Sequence, residues 1–211
     1  EESIDWPKKG TKISNDQFKE IMQYGRDKGV RLSGFKQFDG DIQTVKDLVD
    51  DVDAIAVDFP LIKEGKKPVT IQLDENIAPN DFAVTRNHVI CINAKAFRDT
   101  KRLAEEYQKL ADDGWFVKGT DYRSIIRHEV GHVVANKYEL DGLEAVKAVT
   151  GDSSNDAVIH TVRKELSEYA AFYSDGTEII SESFSGAYSS GEKDKFALKV
   201  IESFGIIQEK E

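Results

Sequence analysis

The sequence DYRSIIRHEVGHVVANK, residues 121–137, carries the clearest structural signal in this chain. Its apolar residues recur at helical spacing, which predicts an α-helix over Asp121–Lys137. Positions i and i+4 of a helix lie one turn apart on the same face, so the imidazoles of His128 and His132 are expected side by side. Such a pair suits one Zn²⁺ ion, at about 2.0–2.1 Å per nitrogen. Glu129 is turned toward the open side of the metal, where a carboxylate can take a proton from water.

The HExxH pattern is specific because the chain contains only 4 histidines. A chance occurrence is expected in well under about 1% of sequences of this length and histidine content. The alternative is a helix in which both histidines are structural and Glu129 forms ordinary ion pairs. Gly131 counts against that alternative. A glycine inside a helix costs about 1 kcal/mol relative to alanine, so its presence indicates the close approach of another backbone.

A catalytic zinc site has three protein ligands and one open position, so a third ligand is expected elsewhere in the chain. The segment DGTEIISESFSGAY, residues 175–188, begins with turn and capping residues and continues as an amphipathic helix. On this helix Glu178 and Glu182 are again four residues apart. One of them can bind the metal while the other accepts the free ring N–H of a zinc-binding histidine. The alternative is that Asp175 and Glu178 form a capping box and that Glu182 is solvated.

Three motifs together resemble one protein family: HEVGH at residues 128–132, SEYA at 167–170 and TEIISESFSGAY at 177–188. The combination is similar to gluzincin zinc metallopeptidases, in particular peptidases that resemble anthrax lethal factor and peptidase domains of phage head-morphogenesis proteins. The resemblance also includes the segment Phe82–Phe97 and covers about residues 31–204 of the chain. Only the metal motifs within it are specific.

The resemblance implies a mostly helical, zincin-like α+β fold and assigns a role to each matched residue. His128, His132 and Glu178 would be the ligands of one Zn²⁺ ion per chain. Glu129 would be the general base, and Glu182 would hold a ligating histidine through a hydrogen bond.

A tyrosine is the remaining member of the family's site. The resemblance implies that Tyr169 stabilises the oxyanion that forms on the scissile carbonyl, a role that a phenolic O–H suits. This sequence departs from the family pattern through extra residues between Tyr169 and Glu178. Tyr173 is therefore a second candidate for the role.

The implied activity is hydrolysis of peptide bonds in a protein or peptide substrate by a zinc-dependent metalloendopeptidase. The strand around His88–Asn93 resembles the family's edge strand, which pairs with extended substrate through backbone hydrogen bonds. One alternative is a structural or interaction protein of a phage or mobile element, with a retained or inactive metal site. Another is a toxin-like peptidase that acts on one host protein. The intact Glu129 argues against an inactive site.

Composition excludes several other classes of protein. With 29 Lys+Arg against 39 Asp+Glu, the net charge of −10 argues against nucleic acid and anionic membranes as partners. Cys91 is the only cysteine, which excludes an internal disulfide. No apolar run approaches the roughly 20 residues that span a bilayer.

The acidic residues at the start do not resemble a signal peptide, which favours a cytoplasmic or phage-associated protein over a secreted one. The oligomeric state stays open.

The remaining patterns predict the α+β class, with a small sheet and helices that predominate late in the chain. Helices are predicted over Ser14–Gly29, from Ile42 to just before Pro60, and over about Arg98–Asp112, Leu140–Val149 and Ala157–Glu168, with a shorter piece near the C-terminus. Strands are predicted over Val69–Leu73 and Asn87–Asn93, in a sheet of two or three strands. We expect residues 1–30 to form a helical extension and residues 31–211 to form the peptidase domain.

Overall fold

The computed structural model describes residues 2–205. Glu1 and residues 206–211, the outer ends of the predicted extension and peptidase domain, lie outside the described residues. The chain is α+β and mostly helical with a small sheet, as the sequence predicts, although the sheet is mixed and has four strands where two or three were expected. It divides into two compact units between Glu106 and Tyr107.

The first unit contains the sheet and the early helices. Its elements are α1 (Asn15–Lys28), β1 (Arg31–Ser33), α2 (Ile42–Asp58), β2 (Thr70–Asp74), β3 (Ala83–Arg86), β4 (Val89–Asn93) and α3 (Ala94–Phe97). Ser14 and Gln17 form a capping box at the start of α1, and Gly29 ends that helix with a φ of 70°. Both predicted helices of this region are therefore confirmed.

The sheet has the strand order β1-β2-β4-β3. β1 and β4 both run parallel to β2, whereas β3 is antiparallel to β4. The two predicted strands correspond to the two central ones, β2 and β4, whereas the outer strands β1 and β3 are additional. Because β4 pairs on both sides, the expectation that residues 88–93 form an edge strand is wrong, and the antiparallel edge is β3.

The second unit is helical. Its helices are the later part of α4 (Thr100–Asp112), then α5 (Ser124–Tyr138), α6 (Gly142–Thr150), α7 (Asn155–Glu165), α8 (Glu168–Phe172), α9 (Thr177–Ala187) and α10 (Lys195–Glu202). α9 packs against both α5 and α10, around the fully buried side chains of Val130, Phe184 and Val200. The predicted helix over Ala157–Glu168 is interrupted, because Ser167 is extended and caps a new helix, α8.

Residues at the N-terminus belong to the first unit. α1 packs against α2, and Ile21 of α1 is fully buried. The border between the compact units, at Glu106 and Tyr107, therefore does not coincide with the end of the predicted extension at Val30. The predicted division into a helical extension over residues 1–30 and a peptidase domain over residues 31–211 stays a prediction. Among residues 2–205, no helix has the length and apolar character that a membrane crossing requires.

Candidate metal centre

The close packing of α5 and α9 places the candidate site in the second unit. A β-carbon added to Gly131 on α5 would lie 2.7 Å from the Cα atom of Ser181 on α9. Only a glycine allows the two backbones to approach this closely, which is the approach that the sequence indicates at this position. Since Glu178 lies one turn before Ser181, the same contact brings Glu178 to the histidine pair.

Three potential ligand atoms converge at this contact. Oε2 of Glu178 lies 3.0 Å from Nε2 of His128 and 3.1 Å from Nε2 of His132. All three residues offer ligand atoms within 4.8 Å of one another. In a tetrahedral site with bonds of about 2.0–2.1 Å, neighbouring ligand atoms are about 3.3 Å apart. These two distances agree with that value to a few tenths of an ångström, so the three residues form a possible site for one metal ion.

The hydrogen-bond accounting at the triad also favours a cation. Oε2 of Glu178 is buried and faces Nε2 of both His128 and His132, which donate to it only when those nitrogens carry a proton. Nδ1 of His128 lies 2.8 Å from a carboxylate oxygen of Glu182 and must carry the proton, because an ionised carboxylate only accepts. In a neutral imidazole, Nε2 then presents its lone pair toward Glu178. Two lone pairs 3.0 Å apart require a proton or a metal ion between them.

The close contacts between these carboxylates and imidazoles shift the pKa values of Glu178 and His128. Burial favours the neutral form of Glu178, but contacts with the two imidazoles outweigh it and hold the pKa of Glu178 well below its usual value. Burial likewise disfavours a charged His128, yet Glu178 and Glu182 raise the pKa of His128 well above its usual value. Positive charge between these groups is therefore electrostatically favoured.

The alternative that Glu182 is a solvated residue is wrong, because its side chain is buried against His128 and Ser167. Glu182 is 1% exposed, and both of its oxygens are used. Oε1 accepts from Nδ1 of His128, and Oε2 accepts from the hydroxyl of Ser167 at 2.8 Å. The alternative capping box is also absent: the N-cap of α9 is Gly176, with no side-chain cap bond, and Asp175 instead accepts from the backbone N–H and the hydroxyl of Thr177.

The two candidate tyrosines make different ring contacts and differ in exposure. The ring of Tyr169 is centred 5.6 Å from the ring of His128, whereas the ring of Tyr173 is centred 6.0 Å from that of Tyr169. Tyr173 is 43% exposed and Tyr169 is half-buried. Burial, followed by the negative charge of Glu178, raises the pKa of Tyr169, so its hydroxyl stays protonated. Of the two, Tyr169 is the one with a ring contact to a histidine of the candidate metal site.

Glu129 follows His128 on α5 and is buried. Its negative charge is one of the smaller causes that raise the pKa values of His128 and Tyr169. The structure brings His128, His132 and Glu178 together, and Glu182 and Tyr169 each contact His128. The roles of these residues, including Glu129 as general base, stay predictions.

Ser167 is the member of the site that sequence reasoning missed. It is the first residue of the SEYA motif, and its position before a short helical pattern is typical of an N-cap. The hydroxyl accepts from the N–H of Ala170, as a cap does. Its contact with Glu182, 15 positions away in sequence, leaves no local signal.

The fold and the site define an α+β chain with a candidate metal centre of two imidazoles and one carboxylate. Comparison with protein-family models, with curated proteins and with solved structures finds no match for this chain.

Proposed function

We propose that this chain is a zinc-dependent metalloendopeptidase with a zincin-like fold. The observation that carries the proposal is the convergence of Nε2 of His128, Nε2 of His132 and Oε2 of Glu178 on one point. Two imidazoles and a carboxylate favour Zn²⁺ over Mg²⁺ and Ca²⁺, which prefer oxygen ligands. A set of three protein ligands is typical of catalytic zinc, because one position stays open for water or substrate.

Each residue of the site has a role in peptide hydrolysis. When bound, Zn²⁺ would act as a Lewis acid that polarises the scissile carbonyl and lowers the pKa of a water molecule. Glu129 takes a proton from the attacking water, whose oxygen forms the new bond to the carbonyl carbon. The C–N bond then breaks, and Glu129 returns the proton to the leaving amine. Tyr169 keeps its phenolic proton and donates a hydrogen bond to the oxyanion.

The histidine orientation also suits this role. Because Nδ1 of His128 donates to Glu182, the lone pair of Nε2 is directed to the candidate metal position. A carboxylate that holds a ligating imidazole in this way increases its basicity as a ligand. The substrate that we propose is a protein or peptide, with no role for nucleic acid or membrane.

Metal content is the first test of the proposal. Protein purified without added metal should contain about one zinc per chain, and His132→Ala and Glu178→Ala should each lose it. The matched control is His160→Ala on α7, which removes an exposed histidine and should leave zinc content unchanged. Zinc that persists in Glu178→Ala, or that is absent from the wild type, would overturn the assignment of the ligands.

Glu129→Gln tests whether the metal centre is catalytic. This variant keeps the shape of the side chain and should keep the zinc, but it should lose hydrolysis of a peptide library by on the order of a hundredfold or more. Normal zinc content with no hydrolysis in the wild type would instead favour the structural or interaction protein of a phage or mobile element.

A further inference from the structure

Ser167 is a buried hydroxyl for which the proposed mechanism has no role. It is 3% exposed and lies between α7 and α8, next to the carboxylate of Glu182. We propose that Ser167 is a positioning residue: it fixes Glu182, and through Glu182 the imidazole of His128, while it also fixes the start of the helix that carries Tyr169. The inference rests on the proposed function for its catalytic consequence.

The hydrogen-bond partners of Ser167 determine where its hydroxyl proton points. The N–H of Ala170 donates to the serine Oγ at 3.1 Å, which uses the oxygen as an acceptor. The hydroxyl proton is therefore free to be donated, and the acceptor is Oε2 of Glu182 at 2.8 Å. Since the other oxygen of Glu182 accepts from His128, the chain of contacts runs from serine to carboxylate to imidazole.

This contact matters because Glu182 is a buried carboxylate. A buried charge needs every available hydrogen bond, and bonds to a charged acceptor are about twice as strong as neutral ones. The terminal torsion of a glutamate has a broad preference, so the side chain itself does not hold the plane of the carboxylate. With donors on both oxygens that plane is fixed. Without the donor from Ser167, the carboxylate can rotate, which weakens its hydrogen bond to Nδ1 of His128.

The same serine determines where α8 begins. α8 has five residues and starts immediately after Ser167, so Tyr169 is in its first turn. The backbone N–H of Tyr169 also donates to the carbonyl of Trp115 at 2.9 Å, which holds the turn from the other side. Ser167 therefore links the position of Tyr169 to the carboxylate that orients His128, and one hydroxyl connects two parts of the site.

The chain offers a matched control for the loss of the helix cap. Ser154 caps α7 through the N–H of Ala157 at 3.2 Å, the same acceptor role that Ser167 has toward α8. Ser154 is exposed and donates to no carboxylate that the structure shows among residues 2–205. Ser154→Ala therefore removes a cap alone, whereas Ser167→Ala removes a cap and the donor to Glu182.

The first measurement uses metal-free protein and requires no activity. In NMR spectra that correlate histidine ring protons with nitrogens, the Nδ1–H of His128 should give a strongly downfield proton resonance that exchanges slowly with water. Ser167→Ala should shift that resonance upfield and speed its exchange. Ser154→Ala should leave it unchanged, and Ser167→Thr, which keeps a hydroxyl, should restore it. A His128 resonance that is the same in Ser167→Ala and wild type would overturn the inference.

The second measurement tests the consequence for the metal. Zinc affinity, measured by competition with a chromophoric chelator, should fall on the order of tenfold in Ser167→Ala. It should recover in Ser167→Thr and stay unchanged in Ser154→Ala. If the wild type binds no zinc, the proposed function fails while the NMR result still decides the role of Ser167. If Ser167→Ala and Ser154→Ala lose stability alike with zinc affinity unchanged, Ser167 is only a helix cap.

Discussion

Gly131→Ala tests whether the backbone contact between α5 and α9 builds the metal centre. The added β-carbon would lie 2.7 Å from Cα of Ser181 and 3.2 Å from Cβ and Cδ2 of Phe184. Carbon atoms in contact are normally about 3.5–4.0 Å apart, so the helices must separate locally by about 0.8 Å. The closest neighbour is a backbone atom, which cannot move aside as a flexible side chain can.

Two opposing energies determine the stability of this variant. Overpacking costs about 1–3 kcal/mol, and alanine regains about 1 kcal/mol over glycine in a helix interior. The net cost is therefore about 0–2 kcal/mol, and we expect the free energy of unfolding of Gly131→Ala to fall by about 1–2 kcal/mol because a backbone atom must move. The effect on the metal should be larger, since ligand distances tolerate only about 0.2 Å of change. Zinc affinity should therefore drop by more than about tenfold.

Urea denaturation measures the first quantity and competition with a zinc chelator measures the second. Gly10→Ala is the control, because its β-carbon would meet only Oδ2 of Asp39 at 3.9 Å. That variant should be neutral or gain up to about 1 kcal/mol through the unfolded state. Wild-type stability together with wild-type zinc affinity in Gly131→Ala would refute the view that this contact sets the geometry of the site.

Three further substitutions test other buried or paired groups. Glu182→Ala leaves a buried imidazole N–H without its acceptor, so urea denaturation should show a loss of about 3 kcal/mol. Asp53 is buried in part, but its ion pair with Lys63 holds its pKa below the usual value. This stabilisation is present above about pH 4 and is lost as pH falls through the folded pKa. Asp53→Asn should thus cost about 1 kcal/mol at pH 7 and nothing in strong acid, and a cost independent of pH would contradict the reasoning. Tyr24→Phe removes a hydroxyl that donates to Asp50 at 2.6 Å, and should cost about 1 kcal/mol in denaturation at pH 8.

Local patterns in the sequence predicted most of the helices because helical hydrogen bonds are local. The boundaries of α1 and α2 follow their caps and the proline after α2, and α5 begins three residues later than predicted. The outer strands β1 and β3 have only 3 and 4 residues, too short for an alternating pattern. They exist because neighbouring strands pair with them. Strand order and the interior position of β4 depend on the same pairing, which no local pattern encodes.

By itself, the sequence determined that His128 and His132 lie side by side, since the 3.6-residue period of a helix fixes an i, i+4 pair wherever the helix is placed. It also predicted Glu178 and Glu182, four residues apart on a second helix, as the candidates for the third ligand and for the partner of a ligating histidine. Only the tertiary structure decided that Glu178 meets both histidines and that Glu182 is buried against His128 and Ser167. Those contacts depend on the approach of two helices that are distant in sequence. The absence of a side chain at Gly131, rather than any local preference of the backbone, permits that approach.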